Sequence, residues 1–291
     1  MVGIGFIQSI LKLIWWRPDV VFTKGGYVCL PVGLAAKLLR IPLVIHDSDA
    51  HPGLTNRILS RWATTIATGA PLEYYPYPKD KTRYIGIPIS ADFHVFSAHE
   101  RTVARSRWNV EKDRPMIVIT GGGLGAQRIN NAVVDVLPKL LKQGSVVLVA
   151  GSAQYDALAA LTPDNSTHFQ LHPFISDGMA ELLGAADVVV ARAGATTILE
   201  LASLAKPTIL IPNAKLTGGH QIKNATVYSD AKAVVIVDED EMEHNRGVLV
   251  NAVQNVLEDK ESRHRLAKNI SAFARPNAAS DMADMIIDAV R

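Results

Sequence analysis

The strongest constraint on this chain is an alternation of short β-branched runs with longer stretches of helical periodicity, sustained along nearly its whole length. Runs at 19–23, 42–46, 64–68 and 84–87 occupy the front of the sequence, and runs at 116–120, 145–150, 188–191, 208–211 and 233–237 the rear. Strands separated by helices pair in parallel and need helices to cover their sheets. Between the two groups the chain mixes charges, is bracketed by Pro88 and Pro115, and carries no strand signal. The expected fold class is therefore α/β with two Rossmann-like lobes: residues 1–92, residues 93–275, and a closing helix over 276–291 that either crosses back to the front lobe or completes the rear one. The front lobe shows about four strands against five or six behind. A parallel sheet ordinarily opens with a strand, a glycine-rich turn and a helix. No such unit precedes residue 19, so the front lobe reads as incomplete.

Composition narrows the classes of function. With 48% hydrophobic and 20% charged residues, the chain has material for buried cores. A single cysteine, Cys29, offers no internal disulfide, and no Cys/His spacing suggests zinc. No uncharged apolar run reaches the roughly 18 residues of a membrane span, and the start lacks the basic region and cleavage site of a signal peptide. The first 90 residues hold ten Lys/Arg against five Asp/Glu and ten of the aromatics, including Trp15, Trp16, Trp62, Tyr74, Tyr75 and Tyr77. That mixture suits an anionic lipid surface, whereas nucleic acid is disfavoured because no dense Lys/Arg stripe appears. Over residues 1–16, Ile4, Ile7, Ile10, Leu11 and Ile14 recur at helical spacing. Such a helix either packs on its own sheet or lies in the headgroup layer with Lys12 and Arg17 at the rim.

Two glycine-bearing turns carry the clearest chemistry. The run Met116–Thr120 passes into Gly121-Gly122-Gly123-Leu124-Gly125-Ala126 and then a helix, a G-x-G-x-x-G/A spacing in strand-turn-helix context. Glycines let backbone approach a phosphate, and the helix start offers free N–H groups. No acidic residue closes the run 145–150, which disfavours a nicotinamide dinucleotide. A second turn, Arg192-Ala193-Gly194-Ala195-Thr196-Thr197, leads into a helix carrying Glu200. Thr197 and Glu200 have capping-box spacing, so Glu200 is either a local cap or an acceptor for ribose hydroxyls. Two such turns in one lobe point to a nucleoside diphosphate. A third polar stretch, Gly218-Gly219-His220-Gln221-Ile222-Lys223-Asn224, offers in Gln221 an amide that can both donate to and accept from sugar hydroxyls.

In the front lobe, the run 42–46 ends in His46-Asp47-Ser48-Asp49-Ala50-His51-Pro52-Gly53. Two histidines and two aspartates so close resemble a metal site, but successive residues leaving a strand diverge. A carboxylate that contacts substrate or assists proton removal is the better reading. Lys24-Gly25-Gly26-Tyr27-Val28 forms another strand-end turn stripped of side chains.

Taken in order, Lys24–Val28, His46 to Asn56, Gly86-Ile87-Pro88, Gly121–Ala126, Pro173-Phe174-Ile175, Arg192–Thr197 with Glu200, and His220-Gln221 resemble the MurG family over nearly the whole chain. These enzymes transfer N-acetylglucosamine from UDP-N-acetylglucosamine to the undecaprenyl-linked muramyl-pentapeptide, lipid I, giving lipid II for peptidoglycan. The resemblance implies a glycosyltransferase fold of the B type, with the donor in the rear lobe and the acceptor in the front. It also implies a peripheral seat on the cytoplasmic face of the plasma membrane and an inverting displacement needing neither metal nor cofactor. Carried onto this sequence, Ile175 meets the uracil through its main chain, Glu200 the ribose, Ala195, Thr196, Thr197, Ile198 and Leu199 the diphosphate, and Gln221 the sugar. Gly25, Gly26, Tyr27 and Asp49 face the acceptor. Three positions depart from the family: Gly123 replaces a phosphate-binding serine, Ser90 an arginine that neutralises the nucleotide, and Asp49 an asparagine. Family members also carry an opening Gly-Gly-Thr-Gly-Gly-His loop whose histidine is a candidate general base. The chain as written starts beyond it, which leaves Asp49 as the candidate and makes a catalytically inert UDP-sugar-binding fragment, or a subunit that needs that opening segment, the alternative expectation.

Overall fold

β-branched and aliphatic runs become strands wherever both faces can be covered, and ten strands lie among the described residues. The computed structural model describes residues 2–122, 126–215 and 219–290. The chain divides into two units, one of Met1–Ile89 with Arg275–Arg291 and one of Ser90–Ala274.

In the front unit β1 (Val21–Thr23), β2 (Leu43–Asp47), β3 (Thr65–Thr68) and β4 (Thr82–Tyr84) lie side by side in sequence order, all parallel. Pairing of the last strand covers Thr82–Tyr84 rather than 84–87, because Gly86 turns the chain with φ +86°. A Cβ at Gly86 would also fall 2.8 Å from Cβ of Arg275, so glycine is needed there on two counts. Ile85 is apolar because it joins Ala67, Ala278, Met282 and Met285 in a small core; the helix Ala278–Asp288 thus packs within the front unit. Arg275 lies over the Tyr84 ring, 4.1 Å from its centroid.

The helix Val2–Trp16 shows two apolar faces. Phe6, Ile10 and Leu13 turn inward, and the helix packs against Cys29–Leu38 rather than directly on the sheet; Ile4, Ile7, Leu11 and Ile14 are exposed.

The rear unit holds β5 (Met116–Thr120), β6 (Ser145–Val149), β7 (Phe169–His172), β8 (Val188–Ala191), β9 (Thr208–Leu210) and β10 (Val235–Ile236), all parallel. Their spatial order is β10-β9-β8-β5-β6-β7. From β5 the chain winds outward one way, then returns to β8 and winds out the other. This reversal places the topological switch point between β5 and β8, where an open parallel sheet leaves a crevice beyond its carboxyl edge. Ile117, Ile119, Val188, Val190 and Ile209 form the sheet's share of a core closed by Ile129, Val133, Leu140, Leu249 and Val253 from flanking helices.

Candidate active site

The turns after β5 and β8 leave the two strands that flank the switch point. At the first, the N–H of Gly122 donates to Thr120 Oγ1 at 3.2 Å with φ +78°, a conformation that favours glycine. Gly123 and its two successors lie outside the described residues. The helix Gln127–Gln143 then begins at Ala126, and no side chain caps it.

At the second, Gly194 is the N-cap of Ala195–Ser203, again without a side-chain cap. Ile198 N–H already bonds Gly194 C=O at 3.0 Å, whereas the amides of Ala195, Thr196 and Thr197 have no partner among the described residues and are available to an anion. Ile198 and Leu199 are buried and serve as core. Thr197 is the third helical residue and not a cap, so the capping-box reading of Thr197 and Glu200 does not hold. The Glu200 carboxylate is partly buried and has no hydrogen-bond or ion-pair partner among the described residues, and burial raises its pKa. A partly buried acceptor with no donor among the described residues, one turn beyond the amides of 195–197, is what a nucleotide ribose would complete.

Arg192 supplies no free charge to this turn. Its guanidinium donates to Ile211 C=O at 3.0 Å and to buried Glu239, tying the segments after β8 and β9 to the helix Glu239–His244. Asn224, buried on the helix His220–Asp230, donates to Ala193 C=O at 3.1 Å and anchors that helix to the same turn. Neither role was legible in motif spacing. Gln221 is half committed: its Oε1 accepts from Asn213 N–H at 2.8 Å, leaving its NH2 group to reach a ligand. Ile175 follows β7 with its side chain buried. Ser90 and Ser176 line one groove of about 830 Å³, and Ser90 Oγ donates to Asp92 Oδ2 at 2.8 Å. Arg107 lines the same groove, where its guanidinium pairs with Glu181.

In the front unit, Gly25 and Gly26 both have φ +82°. A Cβ on Gly25 would crowd Asn56 Nδ2 at 3.2 Å, and Tyr27 beyond them is 82% exposed. Asn56 is the hub behind this turn, donating from Nδ2 to His46 C=O at 3.0 Å and Asp47 Oδ1 at 2.7 Å. His46 is buried against Gly86, its Nε2–H donating to the carbonyl at 2.8 Å, and burial lowers its pKa to about 4. Asp47 is pinned by Asn56, Tyr77 and the Gly53 N–H. His46 and Asp47 are therefore framework, while Asp49 sits part-exposed on the loop beyond β2, its carbonyl accepting from Tyr75 at 2.7 Å. No cluster of three metal-ligating side chains occurs among the described residues.

Tyr75 and Tyr77 are 7% and 8% exposed, so these two rings belong to the core and not to a lipid-facing surface.

Comparison with known proteins defines the class first. Residues 116–283 match the glycosyltransferase family 28 C-terminal domain and residues 2–68 its N-terminal domain. The chain is an α/β glycosyltransferase with two Rossmann-like lobes of the B type. Relatives from Acetivibrio thermocellus and an Exiguobacterium species are both 34% identical, over 99% and 95% of this chain and 77% and 75% of their own length. Each is named a UDP-N-acetylglucosamine--N-acetylmuramyl-(pentapeptide) pyrophosphoryl-undecaprenol N-acetylglucosamine transferase. The crystal structure of Acinetobacter baumannii MurG superposes with a TM-score of 0.76 at 28% identity, covering 97% of this chain and 77% of that one. A UDP-GlcNAc 2-epimerase from Neisseria meningitidis, 15% identical with a TM-score of 0.70, shares the fold. This chain belongs to the MurG family of N-acetylglucosamine transferases.

Proposed function

We infer that this chain transfers N-acetylglucosamine from UDP-N-acetylglucosamine to undecaprenyl-pyrophosphoryl N-acetylmuramyl-pentapeptide, converting lipid I to lipid II. One observation carries the donor half of this reading. Two helix starts without a side-chain cap flank the switch point of the rear sheet, with Glu200, which has no partner among the described residues, one turn into the second. Amides 195–197 take the diphosphate and Glu200 accepts from the ribose hydroxyls. The main chain of Ile175 meets the uracil, and the Gln221 NH2 group meets a sugar hydroxyl. Oxygen of the acceptor's 4-hydroxyl attacks the anomeric carbon as the bond to UDP breaks, so the configuration inverts. Charge growing on the departing diphosphate falls on helix N–H groups, which are fixed before the reaction begins. With serine at position 90, those amides carry more of the load than an arginine would leave them.

On the acceptor side, Gly25 and Gly26 let substrate approach main chain, Tyr27 offers an exposed ring, and Asp49 is our candidate for the carboxylate that takes the hydroxyl proton. A peripheral seat on the cytoplasmic face of the membrane is supported by the outward face of Val2–Trp16. Trp15 and Trp16 are 80% and 64% exposed there, beside Lys12 and Arg17. No described helix is long and apolar enough to cross a membrane.

The test is product formation by the purified chain from labelled UDP-N-acetylglucosamine and a soluble lipid I analogue, with UDP binding measured by calorimetry. Labelled disaccharide product is the expected result. UDP binding without product would favour the inert fragment, and neither product nor UDP binding would defeat the donor-site reading as well.

A further inference from the structure

The segment 71–78 carries two buried tyrosines, one reaching the end of β2 and the other the loop beyond it. Tyr77 O–H donates to Asp47 Oδ2, and Tyr75 O–H donates to the carbonyl of Asp49 at 2.7 Å. Tyr75 is itself held, since its oxygen accepts from Ala70 N–H at 3.2 Å. The two rings are stacked, 5.9 Å between centroids and 12° from parallel, so the hydroxyls are delivered as a pair. On the other side of the loop, Asn56 and the Gly53 N–H hold Asp47 Oδ1, at 2.7 and 3.4 Å. Beneath it, a Cβ at Gly69 would lie 2.3 Å from the Ser48 carbonyl oxygen, so the loop rests directly on the backbone leaving β3.

We propose that Tyr75 and Tyr77 are positioning residues for acceptor recognition, a bracket that clamps the Asp47 side chain and the Asp49 main chain so that the Asp49 carboxylate is presented in one fixed pose. This rests on the reading of Asp49 as an acceptor-side group. A loop leaving a strand end is ordinarily the mobile part of an α/β unit. Here the loop is anchored at alternate residues by hydroxyls whose rings are fixed in the core. Burial raises both phenol pKa values, so each stays a donor throughout the neutral range. The bracket touches no substrate: its effect passes through main chain at 49 and the side chain at 47.

Phenylalanine keeps the ring and the stack while deleting only the hydroxyl, so Tyr75→Phe is the discriminating variant and Tyr77→Phe its companion. Binding of a soluble lipid I analogue and of UDP is measured separately for the full chain, the Tyr75→Phe and Asp49→Ala variants, and the double variant. Amide exchange over β2 and β3 reports that the front sheet is intact. The expected result is about tenfold weaker analogue binding for Tyr75→Phe, the loss of one hydrogen bond, with UDP affinity unchanged. In the Asp49→Ala background the same change should add nothing. Unaltered analogue binding by Tyr75→Phe, with Asp49→Ala impaired, would overturn the bracket and leave the Asp49 reading intact. A Tyr75→Phe loss that persists beside Asp49→Ala would also overturn it. Normal analogue binding by Asp49→Ala, or none by the unsubstituted chain, would remove the Asp49 reading and the bracket together.

Discussion

Arg192 and Glu239 form a buried ion pair behind the turn that follows β8, with Glu239 only 3% exposed. The pair joins segments far apart in sequence, and Arg128 approaches the other Glu239 oxygen at 3.5 Å. A buried pair contributes little relative to an apolar substitute, but removing one partner strands the other charge. Glu239→Gln is expected to destabilise the rear unit by about 3 kcal/mol, read by urea unfolding. A change within a few tenths of a kcal/mol would show that the pair is not what holds the turn.

Glu200 presents the opposite case, a carboxylate whose burial is unrelieved within the described residues. Because its folded pKa is raised, the folded state binds more protons than the unfolded chain over the window above the ordinary carboxylate range. Stability falls as pH rises through that window. Glu200→Gln is expected to stabilise the unliganded protein at neutral pH while weakening UDP binding by about 1 to 3 kcal/mol. Thermal melts and calorimetry check the two halves, and unchanged UDP affinity would remove Glu200 from the donor site.

His46 is neutral in the fold, with its pKa lowered to about 4. The folded state therefore binds fewer protons than the unfolded chain between that value and about 6.5. Stability from this group is complete above that window and is lost as pH falls through it, amounting to about 3 kcal/mol. His46→Gln, which can still donate to the Gly86 carbonyl, should flatten the acid limb of stability against pH. An identical acid limb would place the loss elsewhere.

The exposed face of Val2–Trp16 predicts association with anionic vesicles that weakens with salt. Trp15→Ser with Trp16→Ser should cut vesicle co-sedimentation by at least an order of magnitude, since each inserted ring contributes about 2 kcal/mol. Equal pelleting would dismiss this face as the membrane seat.

Much of the fold was legible because strand signals are local. Residues 116–120 and 188–191 match β5 and β8, since runs rich in β-branched residues and buried on both faces carry their signal locally. β7 was missed: Gln170 and His172 break its apolar run, and Gln170 is buried only because its amide reaches the Trp108 carbonyl from outside the strand. Tyr75 and Tyr77 misled for a related reason. An aromatic-rich segment reads as surface or core alike until its hydroxyls find partners, and those partners, Asp47 and Asp49, lie some thirty positions earlier.

By itself the sequence determined the parallel α/β class, the glycine turns and the chemistry that a free helix start can offer, because each depends on residues within a few positions of one another. Only the tertiary structure decided the strand order that sets the β5 and β8 turns on either side of a crevice. It also decided that Arg192 is spent on Glu239, that Thr197 caps nothing and that Glu200 has no partner among the described residues. Those outcomes depend on which distant side chains arrive beside a buried charge, and the energy of burying a charge cannot be read from its neighbours along the chain.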